Sequence, residues 1–453
     1  MAHSLGKVFE SYCQSVGGGV EAYINANLSV RDLEKNKYGE VFTPYSYICD
    51  LLNQLPPRVW RDPNLRWLEP AAGIGNFCLV VYMRLMDGLA ADIGAFSNLT
   101  ARHEHILRNM LFMIELNEEN VARTRDLFGP LANITCADFL SASADVSVSA
   151  DIIIGNPPFQ SPRETARTSS KGGQTLWDKF IVKSLGILRQ TPPPGPGTNA
   201  ERFLCFITPP AWRKPNSPHG LWTMMTHEPC SLQYIHMIDK KTAIRDLCVQ
   251  QRMDLFIVGV GGGDDIGAPC RVITSAVDGN TLNLISPRDW PFLPNSEFES
   301  IKELLDPKGP DPRRVLYDRS AYGSDLPHMA PEYLAGEFIY PVVHTMTRRG
   351  LGLWYSNTKT RGAGHFGKAK VILNFNEKLY PYLDHTGEYG MGQFSFGLPT
   401  GGAVAEGEAM VRALNSPRFT AIVRATKWGA YQTDRRMFEY FREGWWTAAA
   451  FGS

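Results

Sequence analysis

Short apolar runs, each closed by an acid or an amide, recur through the first half of the chain. Ile152, Ile153 and Ile154 follow Asp151 without a polar interruption, the pattern of a strand buried on both faces of a parallel sheet. Arg66-Trp67-Leu68 enters another short strand, a glycine-bearing turn runs from Glu69 to Phe77, and the apolar stretch from Cys78 to Met86 reads as a buried helix. Phe112 to Asn117 and Ile134 to Leu140 repeat the short strand that ends near an acid. From Gln174 to Leu188, Leu176, Trp177, Phe180, Ile181, Leu185 and Leu188 recur at helical spacing and predict an amphipathic helix. The prolines between Thr191 and Gly197 end it, and Arg202 to Thr208, Leu232 to Ile238 and Met253 to Val260 read as further strands. Strands alternating with helices predict an α/β fold, a Rossmann-like domain around a mainly parallel sheet.

Glycine from Gly259 to Gly267 and scattered proline from Pro287 to Pro331 predict a boundary. The expected organisation is a first domain over 1–275, with a helical extension over 1–35, a linker over 276–335, and a C-terminal α+β domain over 336–453. The chain has 453 residues, enough for two or three domains. No segment is apolar for about eighteen residues, and Met1 to Tyr12 lacks a basic-then-apolar leader. The expectation is an intracellular protein with no membrane partner. The eight cysteines form no CxxC pair and read as reduced core thiols. Cys230, His227 and His236 fit no zinc spacing, so no metal is expected.

Formal net charge is zero, so any polyanion must be met by a local patch. From Pro341 to Trp445 there are 14 Lys and Arg against 8 Asp and Glu, interleaved with aromatics. Arg348, Arg349, His365, Lys368, Lys370, Arg435 and Arg436 are the candidate nucleic-acid contacts there. Arg163, on the long polar loop Gln160 to Gly173, is another.

The most telling segment is Asn156-Pro157-Pro158-Phe159, immediately after the isoleucine strand. Ligands of parallel sheets bind beyond the carboxyl ends of strands. Prolines fix φ and donate no hydrogen bond, so the turn is rigid and its carbonyls can accept. The Asn156 side chain adds an acceptor, and Phe159 offers a ring face for a flat heterocycle. This combination suits the exocyclic amine of a purine or pyrimidine. Upstream, Gly73 and Gly75 allow close backbone approach, while Glu69 disfavours a phosphate and favours a cationic or hydroxyl-bearing ligand. Glu115 can accept from ribose hydroxyls and Asp138 from an adenine amine. Together they describe a nucleoside pocket.

These residues resemble the S-adenosylmethionine-dependent methyltransferases, and Asn156-Pro157-Pro158-Phe159 resembles the DNA N6-adenine branch. Lys37 to Pro44 is similar to the segment that closes over the methionine part of the cofactor, and the motif order is similar to the γ arrangement. The resemblance covers roughly residues 35 to 260. It implies S-adenosylmethionine bound by Tyr38, Phe42, Thr43, Pro44, Glu69, Ala71, Gly73, Gly75, Asn76, Phe77, Glu115, Leu116, Asp138, Phe139 and Asn156. It also implies duplex DNA as partner, with Asn156, Pro157, Pro158 and Phe159 catalytic. Phe338 to Phe441 is similar in flavour to specificity regions of viral and phage members. Similar tetrapeptides occur in RNA guanine-N2 and protein glutamine methyltransferases. Cytosine-N4 enzymes usually have Ser where Asn156 stands, and a silent DNA-binding subunit is a further reading. Oligomeric state has no signature in the sequence.

Overall fold

The computed structural model describes residues 6–14, 43–91, 94, 96–141, 149–161, 174–192, 201–261, 268–276, 279–362, 365–429, 433–447 and 451. Tyr38, Phe42, Arg163 and most of the expected N-terminal extension lie outside them.

The chain divides into two compact units, 1–212 with 217–290, and 213–216 with 291–453. In the first unit α1 (Lys7–Gln14) and α2 (Tyr45–Leu52) precede β1 (Trp67–Glu69), α3 (Asn76–Gly88) and α4 (Leu99–His105). Then come β2 (Leu111–Glu115), α5 (Glu118–Phe128), β3 (Asn133–Cys136), β4 (Ile152–Gly155), α6 (Trp177–Gln190) and β5 (Arg202–Thr208). The unit closes with α7 (Leu221–Thr226), β6 (Cys230–Ile238), α8 (Lys240–Leu247), β7 (Met253–Val260), β8 (Cys270–Ala276) and β9 (Gly279–Ile285).

Among the described residues these strands form one sheet in the order β3-β2-β1-β4-β5-β7-β6-β8-β9. β3 through β5 are parallel, whereas β7 runs antiparallel between β5 and β6. All four residues of β4 and all seven of β5 are buried, which is why Ile152 to Ile154 and Phe203 to Ile207 run apolar instead of alternating. The chain winds from β1 outward through β2 to β3, then returns to β4 on the other side of β1 and continues to β5. This reversal is a topological switch point, and the carboxyl ends of β1 and β4 open a crevice there. The Rossmann-like expectation is met, with a mainly parallel sheet.

The glycine-rich stretch after Val260 does not end the domain, because β8 rejoins the sheet parallel to β6 and pairs with β9. Nor is 276–335 a linker. Its beginning belongs to β9, and Phe292, Leu293, Ile301, Leu304, Ala321 and Tyr322 are buried in the second unit. Proline there marks tight turns in folded chain, which composition alone does not separate from a tether. The cysteines are all free, but Cys13, Cys136 and Cys248 are exposed, so only some are core thiols.

The second unit is α+β. It contains α9 (Phe298–Lys302), β10 (Met329–Ala330), β11 (Tyr340–Thr347), β12 (Gly350–Ser356), β13 (Lys370–Asn374), β14 (Tyr382–Asp384), β15 (Gly390–Met391) and β16 (Ser395–Pro399). It ends with α10 (Val404–Asn415) and α11 (Pro417–Ala425). Its sheets run β10-β12-β11-β15 and β14-β13-β16. Ser416 caps α11 by accepting from Phe419 N–H, and Pro417 takes the first helical position, where no amide is needed. Phe419, Phe438, Phe441 and Trp445 pack ring against ring below it.

Candidate active site

A cavity of about 340 Å³ opens at the switch point of the first unit. Its wall is built from four strand ends, so residues far apart in sequence meet. β1 supplies Glu69 and the turn Pro70 to Ile74, and α3 adds Asn76 and Phe77. The end of β2 supplies Glu115 and Leu116, the turn after β3 supplies Ala137 to Leu140, and the turn after β4 supplies Asn156 to Ser161. Thr43, Leu176 and Phe180 complete it.

Backbone conformation explains the two glycines differently. Gly73 has φ +55 and lies on the cavity wall. Gly75 has φ +91 but is not on the wall; a Cβ there would sit 3.1 Å from the Phe128 ring, so it serves the packing of α3 against α5. Pro44 likewise precedes α2 and is absent from the wall.

Electrostatics are one-sided. Glu69, Glu115 and Asp138 face the cavity, and no Lys, Arg or His lines it among the described residues. Glu115 accepts from Gly73 N–H at 2.7 Å and from Asn117 N–H at 2.8 Å, which ties the second strand end to the glycine turn. Burial nevertheless raises its carboxyl above the ordinary value. Glu69 is 3% exposed, and the Cys78 thiol donates to it at 2.8 Å. Burial pushes the Glu69 carboxyl up to about 8. Such a site disfavours an anion and is stabilised by a cation.

At the mouth, Asn156 Nδ2 donates to Thr43 Oγ1 at 3.1 Å. That bond fixes the amide plane and turns its acceptor end away from Thr43. Gly155, at φ +145, begins the turn. Phe159 is half-buried and packs on the core edge, while its carbonyl accepts from Leu176 N–H at 3.1 Å. An antiparallel bridge between Gln160 and Thr175 pins the roots of the loop that carries Arg163.

The sequence reading missed what α6 contributes. Leu176 and Phe180 were assigned to its apolar stripe, yet both reach the cavity, and Phe180 lies 5.1 Å from Phe139, centroid to centroid. Lys183 donates to the carbonyls of Phe139, at 2.5 Å, and Ser141, at 3.2 Å, and so fixes the β3 turn. The four-residue spacing of Leu176 and Phe180, at the start of the first helix after the tetrapeptide, was the available signal.

In the second unit the expected surface cations separate into two groups. Arg348, Arg349 and Lys368 are exposed. Lys370 and His365 are corrections, because they are buried, whereas Arg435 and Arg436 are half-buried and engaged within the unit. Lys370 has no exposed surface and donates to Asp384 at 2.6 Å. His365 is 1% exposed and accepts from Met391 N–H at 3.1 Å. Arg435 is half-buried with its guanidinium 3.9 Å from the Tyr317 ring centroid, and Arg436 is held by Asp434. Asp384 meets the Lys370 charge and Asp434 that of Arg436, while His365 serves as a buried hydrogen-bond acceptor. Arg348 and Arg349 occupy the tip between β11 and β12. Along that hairpin a bulge at His344 interrupts the register, and His344 stacks on Trp354 at 4.8 Å with exposed Phe394 against its edge at 5.7 Å.

Sheet order, the antiparallel β7 and the acid-lined switch-point cavity define a Rossmann-like α/β domain followed by an α+β domain. The fold is shared with the type IIL restriction-modification enzyme MmeI, solved in complex with DNA. The two are 11% identical with a TM-score of 0.50, over 91% of this chain and 68% of that one. A DrdV–DNA complex aligns at 12% identity and TM-score 0.46, over 94% of this chain and 58% of that one. In sequence, 82 residues are 38% identical to an uncharacterized adenine-specific methylase of Mycoplasma pneumoniae, 17% of this chain and 19% of that protein. The chain thus spans only about a fifth of that curated relative. No protein-family model matches it.

Proposed function

We propose that this protein is a DNA methyltransferase that moves the methyl group of S-adenosylmethionine to N6 of an adenine extruded from duplex DNA. The observation that carries this reading is the meeting of a cavity lined by three acids with the Asn156-Pro157-Pro158-Phe159 turn in a single crevice. The residues fit the cofactor. Asn76 Oδ1 is buried on the wall without a partner among the described residues, and beside Glu69 it suits an ammonium group. Glu115 suits the ribose hydroxyls, while Asp138 and Phe139 suit the adenine amine and ring. Leu116 and Ala71 close the walls. S-adenosylmethionine supplies an activated, positively charged methyl donor.

Everything else falls to the protein. The N6 lone pair is delocalised into the base, so nucleophilicity depends on how the amine is held. The Asn156 amide oxygen and the Pro157 carbonyl accept its two hydrogens and direct the lone pair inward; Pro158 keeps the turn rigid. This is catalysis by positioning and fixed dipoles. Phe159 stacks on the extruded base and offsets part of an unstacking cost of a few kcal/mol.

For duplex DNA, the support is the stretch from Phe338 to Asn376, which contains six Lys and Arg and no Asp or Glu. Lys370 is neutralised internally, and Arg348, Arg349, Lys359, Arg361 and Lys368 stay exposed. A β-ribbon with a cationic tip and half-exposed rings suits a major groove. The adenine-specific name of the Mycoplasma protein and the DNA bound to MmeI agree with this reading.

The test is transfer of tritiated methyl from S-adenosylmethionine to unmethylated DNA, followed by nucleoside chromatography. Labelled N6-methyladenine is expected, falling by about 10²- to 10³-fold in Asn156→Ala while cofactor affinity is retained. Label in RNA or in a glutamine side chain would overturn the assignment.

A further inference from the structure

On the first unit, away from the cavity, Asp50, His236 and Ser275 form a continuous hydrogen-bonded chain. Asp50 Oδ2 lies 2.6 Å from His236 Nδ1, and His236 Nε2 lies 2.7 Å from Ser275 Oγ. The three come from α2, β6 and β8. His236 is 7% exposed. With Nδ1–H facing the carboxylate, Nε2 accepts from the serine hydroxyl. The order is that of a hydrolytic triad, but the setting is not. Ser275 lies on β8 directly opposite Asn280 of β9, a strand position and not a turn of the kind that gathers amides into an oxyanion site.

The chain of bonds leads instead to α2. Tyr234 Oη also donates to both Asp50 oxygens at 3.1 Å, and Tyr47, three residues before Asp50, donates to Asp246 of α8 at 2.7 Å. Ile48, Leu51 and Leu52 bury the opposite stripe of α2. Apolar packing resists withdrawal of a helix but sets its axial position weakly; directional bonds from two successive turns set it firmly. At the other end of α2 the Pro44 carbonyl accepts from Tyr47 N–H at 3.1 Å and Ile48 N–H at 3.2 Å. Thr43 is therefore fixed to the first turn of the helix, and Thr43 Oγ1 is the acceptor that orients Asn156.

We propose that Asp50, His236 and Ser275 are positioning residues that lock α2 in register and thereby hold Thr43 against the Asn156 amide. The proposal rests on the methyltransferase reading. It is tested by a double-mutant cycle of Asp50→Asn and Thr43→Val, with kcat measured at saturating S-adenosylmethionine and DNA. Each single change is expected to lower kcat by about tenfold with KM for DNA unchanged, and the double variant should be no slower than Thr43→Val alone, because both act through one contact. Multiplicative losses, near a hundredfold, would overturn it. Ser275→Ala, a milder change for the case in which Asp50→Asn fails to fold, should lower kcat about threefold and lose that effect in the Thr43→Val background. A second readout needs no substrate: backbone amides of Tyr47 and Ile48 should exchange hydrogen faster in Asp50→Asn, and unchanged exchange there rejects the relay. Failure of the wild-type protein to label DNA adenine would reject the methyltransferase reading separately, and exchange would still decide whether the relay fixes α2.

Discussion

Glu69 closes β1 and Asp384 closes β14, and both carboxyls are buried to 3% exposure. Their surroundings are opposite. Asp384 receives the Lys370 ammonium at 2.6 Å together with the N–H groups of Glu388 at 2.8 Å and Tyr389 at 3.0 Å. Glu69 receives a thiol and a backbone N–H from Cys78 and faces an acid-lined cavity. Burial lowers the Lys370 ammonium below its ordinary value even beside Asp384, yet that pair is complete within the fold. Glu69 has no cation of its own among the described residues, and its carboxyl stays high, at about 8. A buried charge with every partner inside the chain is architecture; one still lacking a counter-ion is a place for a ligand.

The sharpest way to break this contrast is to remove the cation from the settled pair. Lys370→Met should destabilise the second unit by about 3–5 kcal/mol, because Asp384 is left buried and uncompensated. Urea unfolding followed by aromatic fluorescence measures it, and Lys370→Met with Asp384→Leu should recover most of the loss. Next in size, the cations that stayed outside should behave unlike Lys370. Arg348→Ala or Arg349→Ala should weaken DNA binding by about 1–3 kcal/mol if a base edge is read, or flatten the salt dependence by about one unit if a phosphate is held. Thermal unfolding should be unmoved in both.

The third prediction uses pH. The native state retains a proton on Glu69 that the unfolded chain releases near its ordinary value of 4.5. This group's contribution to apo stability is present in full below that value and fades as pH rises towards 8. A cationic cofactor requires the carboxylate, so the sign reverses for binding: affinity should rise about tenfold per pH unit up to about 8 and then level. Calorimetry across that range should give a flat profile for Glu69→Gln; the same slope in that variant would remove Glu69 from the site. The smallest effect should come from Cys78→Ser, whose hydroxyl donates a better hydrogen bond and should shift the bend of that profile slightly downward.

Legibility followed the distance over which each feature is built. The strand that ends in Asn156-Pro157-Pro158-Phe159, the glycine turn and the acids Glu115 and Asp138 were readable because a parallel sheet fixes a strand end and its turn within a few residues. The switch point then brings those turns together. Phe180 was not readable as a cavity residue, nor Lys183 as the anchor of the turn after β3, because a helical stripe gives spacing but not which end points at a ligand. The surface of the second unit was the least legible. Lys370 and Lys368 are two residues apart in sequence, and only pairing of β13 with β14, which brings Asp384 opposite Lys370, separates the buried one from the exposed one. Likewise Gly75, which looks like a ligand glycine, is claimed by Phe128 across α5.

Gly155 carries one more implication. A Cβ added there would meet only ordinary contacts, 3.5 Å from Glu69 Cγ and 3.6 Å from its Oε1, so space is not what excludes a side chain. The obstacle is handedness, since φ +145 is open to glycine and to D-residues but not to L-residues. Protein semisynthesis that installs D-alanine at 155 should therefore preserve the turn that aims Asn156, while the encoded L-alanine should bend it. The mirror-image pair would separate backbone shape from side-chain bulk at the Asn156 turn with a single stereocentre.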